Sequence, residues 1–132
     1  MSQNNYFGGV DIGASATKVA ILDANRGLAA SDVRKTGVNF ETCAREAMEA
    51  ALESCGRKLE DLTRVFSTGY GRHNVAFAHG TKTEIACHAR AAHHFFPRRV
   101  TIVDVGGQDN KIIHIDADGR RESFKMNRKC AA

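Results

Sequence analysis

One short pattern occurs twice in this chain and limits what it can fold into. Val10-Asp11-Ile12-Gly13, four further residues and Lys18 return as Val103-Asp104-Val105-Gly106, four further residues and Lys111. Each copy continues into an apolar pair, Val19-Ala20 or Ile112-Ile113, and reaches an acidic residue five positions past its lysine, Asp23 or Asp116. β-Branched and apolar runs on both sides of a small, glycine-containing turn predict a hairpin. A turn built on Gly13 or Gly106 lets backbone N–H groups approach an anion, and a nearby lysine adds a point charge. Asp11 and Asp104, at strand ends beside these turns, are placed to hold a hydrated divalent cation. Two matched copies predict a duplicated unit that grips a phosphate chain.

The rest of the chain fits around these hairpins. Tyr6 to Ile12 and Thr17 to Leu22 form the first, and a third strand covers Gly27 to Lys35 after the turn from Asp23. Phe40, Cys43, Ala44, Ala47, Met48, Ala51, Leu52 and Cys55 then fall at helical spacing, with Asn39 as N-cap and Gly56 as stop. Both Cys43 and Cys55 belong to the buried stripe. A strand over Leu62 to Thr68 runs into Thr68-Gly69-Tyr70-Gly71-Arg72, either a ligand-facing loop or a strand exit that needs its glycines. A second helix spans Lys82 to Phe95, its apolar stripe made of Ile85, Ala89, Ala92 and Phe96, and ends before Pro97. Glu84 and His88 share a face at i and i+4. Glu84 has two readings: it orients an attacking water with His88 tuning it, or it completes a capping box with Thr81. His93 and His94 point to different sides of the helix and read as surface residues. Three more strands follow, Val100 to Asp104, Lys111 to Asp116 and Glu122 to Met126, the last two joined by an Asp116-Ala117-Asp118-Gly119 turn.

Paired Asp-x-Gly hairpins resemble the phosphate loops of the actin, hexokinase and Hsp70 superfamily of ATPases. Three blocks narrow the resemblance: Ser67-Thr68-Gly69-Tyr70-Gly71-Arg72, Glu84-Ile85-Ala86-Cys87-His88-Ala89, and Asp104 to Lys111 followed by Met126-Asn127-Arg128-Lys129-Cys130-Ala131-Ala132. They are similar to the BcrA/BadF/BzdQ-type activator ATPases of 2-hydroxyacyl-CoA dehydratases and benzoyl-CoA reductases. The resemblance implies an α/β, ribonuclease H-like first lobe with a mixed five-stranded sheet over residues 1–97. The opening strands of a second, truncated lobe would occupy residues 98–132.

It also implies ATP and Mg²⁺. Asp11 and Asp104 would hold magnesium through water, and Gly13, Ala14, Ser15, Ala16, Gly106 and Gly107 would meet phosphates through the backbone. Lys18 would neutralise phosphate charge, and Gln108 and Glu84 would place the attacking water. Cys130 resembles a ligand of a [4Fe–4S] cluster shared by the two subunits of a homodimer. The implied activity is ATP-driven delivery of an electron from ferredoxin or flavodoxin to a dehydratase or related CoA-ester reductase. A sugar or small-molecule kinase of the same superfamily, and a non-catalytic binding fragment, are the alternatives. Chains of this family run on for about as many residues again. The present chain is therefore expected to self-associate through its final strands, including Val103, Val105, Ile113, Ile115 and Phe124, or to leave them poorly ordered. It is also expected to lack turnover by itself and to assemble no cluster.

Composition excludes other classes. The net charge of +4 is mild, and the basic residues Arg120, Arg121, Lys125, Arg128 and Lys129 come without a nucleic-acid recognition motif. They read as a solvated face. No apolar run approaches membrane-spanning length, and Met1-Ser2-Gln3-Asn4-Asn5 lacks the parts of a signal peptide, so the cytoplasm is expected. Cysteines 43, 55, 87 and 130 show no C-x-x-C spacing, against structural zinc or a disulfide scaffold.

Overall fold

The computed structural model describes residues 4–106 and 109–127. It opens with β1 (Tyr6–Ile12), β2 (Ala16–Leu22) and β3 (Leu28–Lys35), an antiparallel meander. α1 (Phe40–Ser54) carries the chain over to β4 (Leu62–Thr68), which lies parallel to β1, and short β5 (Gly80–Thr81) pairs in parallel with β4. The order β3-β2-β1-β4-β5 is the mixed five-stranded sheet that the resemblance implied, with β5 a strand the residue pattern had not marked.

Alternation along the strands decides which face is covered. Val10, Ile12, Thr17, Val19 and Ile21 point to one side of the sheet, where Ala44, Ala47, Met48, Ala51 and Leu52 of α1 close the core. Small alanines let the helix axis come near the strands. Asn39 caps α1 as expected, its Oδ1 accepting the Thr42 N–H at 3.0 Å. Cys43 is buried; Cys55 is only half-buried, its thiol donating to the Leu52 carbonyl at 3.4 Å.

The second compact unit begins after Lys82 and comprises α2 (Glu84–Phe95) with β6 (Val100–Val105), β7 (Asn110–Ile115) and β8 (Arg121–Asn127) in a sheet of that order. It has a core of its own: Ile85 and Ala89 of α2 cover Ile113 and Ile115, both fully buried, with Ala92, Val100 and Ile102 at the margin. Ile113 and Ile115 therefore leave the set expected to be exposed, because α2 lies on their face of β7. Val103, Val105 and Ile112 point the other way and are exposed, and Phe124 on edge strand β8 is 43% exposed.

α2 starts later than the sequence pattern suggests. Thr81 belongs to β5 and the Lys82 N–H donates to the Ser67 carbonyl, so the chain is still extended there. Thr83 is the N-cap, its hydroxyl accepting from Ala86 N–H at 3.2 Å. The capping box of Thr81 with Glu84 does not form, and Glu84 is left free for another partner. Phe96, placed on the buried stripe by periodicity, is instead more than half exposed at the helix end. His93 is half-buried rather than a plain surface residue: its Nε2 lies 3.0 Å from the Ala117 carbonyl and its ring packs on Gly119.

The repeat holds at the level of single hydrogen bonds. Gly13 N–H closes its turn on the Ala16 carbonyl at 2.9 Å, and Gly106 N–H closes on Asp109 at 2.9 Å. At the next turn Asp23 Oδ1 accepts from the N–H groups of Asn25 and Gly27, both at 2.9 Å. Asp116 Oδ1 accepts in the same way from Asp118 and Arg120, both at 2.9 Å. The left-handed residue these turns require is Arg26 (φ 66°) in the first and Gly119 (φ 83°) in the second.

Candidate functional site

The first hairpin presents a small polar group at one end of the sheet. Asp11 and Lys18 are opposite in register and their charged atoms are 3.6 Å apart. The two side chains are 38% and 55% exposed, so water screens the pair and leaves both available to a ligand. The Gly13 N–H is committed to the turn itself, as is that of Gly106. Gly13 thus contributes shape, and the part of the first turn open to an anion is the exposed tip, Ala14 and Ser15.

Beneath the tip runs a line of hydrogen bonds that periodicity alone does not reveal. The Thr36 hydroxyl donates to the Gly13 carbonyl at 2.8 Å, so the 2.9 Å bond between the Thr17 and Thr36 hydroxyls is donated by Thr17. The Cys43 thiol completes the line at 3.4 Å from Thr17 Oγ1. Thr17 is fully buried, which holds the base of the turn rigid. The clue in the sequence was a threonine on the apolar side of a strand.

The Ser67–Arg72 block forms the wall beside Asp11. Gly69, at φ 91°, packs so closely that a Cβ there would collide with Asp11 Oδ1 and lie 2.5 Å from the Ile12 carbonyl. The Gly71 N–H donates to that same carbonyl at 2.9 Å. Arg72 folds back to the Gly69 carbonyl at 3.1 Å, and the Ser67 hydroxyl donates to the Arg72 carbonyl at 2.7 Å. Both glycines are needed by this packing, and the packing puts the loop against the hairpin carboxylate. Tyr70 is exposed, its ring edge-on to Phe40 at 6.0 Å. Thr68, opposite Asp11 in register, keeps a buried hydroxyl with no partner among the described residues.

The second hairpin is built differently around the same residues. Lys111 is only 3% exposed, and its ammonium meets Asp109 at 2.5 Å, Glu84 at 3.2 Å and Asp104 at 3.6 Å. Burial pulls the ammonium's pKa down, but hydrogen bonds to Asp109 and Glu84 outweigh it and hold the pKa above the ordinary lysine value. His88 Nε2 approaches Asp104 Oδ2 at 3.4 Å. Glu84 and His88, singled out by their helical spacing, thus converge on one cluster with Asp104. Asn110 Oδ1, buried at the start of β7, has no partner among the described residues. Gly107, Gln108 and Cys130 lie outside the described residues.

Two implied metals fare differently. A hydrated magnesium ion keeps most of its waters and needs only one or two carboxylates, and Asp11 and Asp104 are each a partly exposed carboxylate that would suit it. Among the described residues, no group of three or more His, Cys, Asp or Glu is arranged to hold a metal directly. Cys43, Cys55 and Cys87 are free thiols in three separate surroundings and do not fit a cluster.

The sequence pattern of the BadF/BadG/BcrA/BcrD ATPase family matches residues 9–132. The chain belongs to that family. The activator of lactoyl-CoA dehydratase from Anaerotignum propionicum is 39% identical over 127 residues, 96% of this chain and 49% of the relative. Component A of the Acidaminococcus fermentans (R)-2-hydroxyglutaryl-CoA dehydratase superposes with a TM-score of 0.88 at 34% identity, over 96% of this chain and 49% of that one. The Clostridium difficile 2-hydroxyisocaproyl-CoA dehydratase activator with bound ADPNP gives 0.87 at 38% identity, over 96% and 47%. Like other BadF/BcrA-family ATPases, the chain has the α/β actin/hexokinase-like ATPase fold. It spans about half the length of the curated relatives it matches.

Proposed function

We propose that this chain supplies the phosphate-binding hairpins of an ATP-hydrolysing activator that delivers an electron to a 2-hydroxyacyl-CoA dehydratase or related CoA-ester reductase. The observation that carries the reading is the matched pair of hairpins, each with an aspartate one residue before its first strand ends, in a chain whose relatives are such activators. Asp11 and Asp104 would hold hydrated Mg²⁺, and the ion would supply charge neutralisation on the nucleotide's phosphates. The Ala14–Ser15 tip and Lys18 receive phosphate oxygens. Gln108 precedes Asp109 in the sequence and is assigned to placing the attacking water.

Glu84 acts on that water as well, from a position fixed by Lys111. Such catalysis is positional and electrostatic, as phosphoryl transfer generally is. Residues 1–97 and 98–132 are the two functional lobes in this proposal. The iron–sulfur part rests on Cys130 alone, whose cluster would be shared in a homodimer fed by ferredoxin or flavodoxin. A cytoplasmic site suits that role; among the described residues no helix is long and apolar enough to cross a membrane.

The test is calorimetric titration of the protein with ADPNP and Mg²⁺. Saturable binding is expected, weakened at least about tenfold by Asp11→Asn, the scale of one charged contact. No binding by the parent protein would refute the assignment.

A further inference from the structure

Lys18 and Lys111 occupy one position of the repeat in opposite surroundings. Lys18 is half exposed with a single screened ion pair. Lys111 is buried, and the carboxylates it meets come from three places: Glu84 in the first turn of α2, Asp104 on β6 and Asp109 in the hairpin loop. Asp109 and Glu84 lie within hydrogen-bond distance of the ammonium, and Asp104, at 3.6 Å, adds a third negative charge beside it. His88, one turn further along α2, adds a second link from the helix to Asp104 Oδ2.

We propose that Lys111 is a positioning residue and not a phosphate ligand, tying α2 to the second hairpin loop so that nucleotide bound at the loop alters the order of the helix. This deepens the nucleotide reading above and rests on it. The duplicated lysines have divided the work: Lys18 faces the ligand, and Lys111 holds the acidic groups and the helix in register. Without the ammonium, Glu84, Asp104 and Asp109 repel one another and the first turn of α2 loses its hold on the loop.

The experiment pairs a titration with amide hydrogen exchange, with and without Mg–ADPNP, on the intact protein. In the parent, bound ADPNP should slow exchange in α2 by at least about threefold, a readout of local opening. Lys111→Met should bind ADPNP within about threefold of the parent and lose the α2 response, and Lys111→Arg should restore it. Glu84→Gln, which leaves Lys111 two carboxylates and removes the charge of its partner on the helix, should also lose the response; it decides the matter if Lys111→Met does not fold. An affinity loss of about tenfold or more in Lys111→Met would mean that the lysine meets phosphate, and would overturn the proposal. So would an α2 response that survives Lys111→Met or Glu84→Gln, or its absence in parent protein that binds ADPNP. Failure of the parent to bind ADPNP at all is a separate result, ending the nucleotide reading and this inference with it.

Discussion

Gly69 lies directly against the carboxylate of Asp11, so that the loop after β4 and the first hairpin share one surface. The contact explains why glycine is required: φ is 91°, and any Cβ would overlap both Asp11 Oδ1 and the Ile12 carbonyl. The loop therefore fixes where that carboxylate can point.

Gly69→Ala should accordingly destabilise the protein by about 2–4 kcal/mol, combining left-handed strain with a steric overlap. Nucleotide affinity should fall along with melting temperature, because Asp11 must move. A variant with the parent's melting temperature would show that the loop is soft.

Asp11→Asn and Asp104→Asn, each made in the intact protein, should lower ATP turnover by at least about a hundredfold, the scale of one lost charged group at a reacting phosphate. Steady-state rates under saturating Mg–ATP check this. Near-normal turnover in either variant removes that aspartate from the mechanism.

Thr83→Ala and Glu84→Gln separate capping from chemistry. The first deletes the hydroxyl that holds Ala86 N–H and should cost about 1 kcal/mol of stability while turnover persists. The second should leave the melting temperature nearly unchanged, since Glu84 is partly exposed, while turnover drops. Equal losses of stability and little loss of rate in both would return Glu84 to a structural role.

Val103, Val105 and Ile112 form an uncovered apolar row on the face of the second sheet away from α2. Sedimentation of this chain should show weight-average mass rising with concentration, and Ile112→Lys should suppress the rise. A concentration-independent monomer would exclude association through this face.

What the sequence made legible is what neighbours along the chain decide. The Asn39 cap and the two hairpin turns are set by contacts a few residues apart, and they stand where the pattern put them. The burial of Ile113 rather than Val103 was hidden, because both strands are apolar on each face and only the docking of α2 chooses between them. Glu84 looked like a capping residue because its spacing from Thr81 is right; the pairing of β5 with β4 overrides that spacing. Periodicity gave no sign of the approach of Gly69 to Asp11 or of Lys111 to Glu84, since each joins distant segments.

The matched turns at Asp23 and Asp116 carry a consequence for how the chain reaches its structure. Each sets the register of its own meander through an aspartate bonded to amides within the same turn. In the second unit the strand pairings are all between neighbours in sequence, so its contact order is low and its entropy cost of closure small. The first unit must in addition bring Tyr6 beside Leu62 across the whole of α1. Refolding from denaturant should then be staggered, with protection of β6 to β8 amides preceding that of the β1–β4 pair in pulse-labelled exchange.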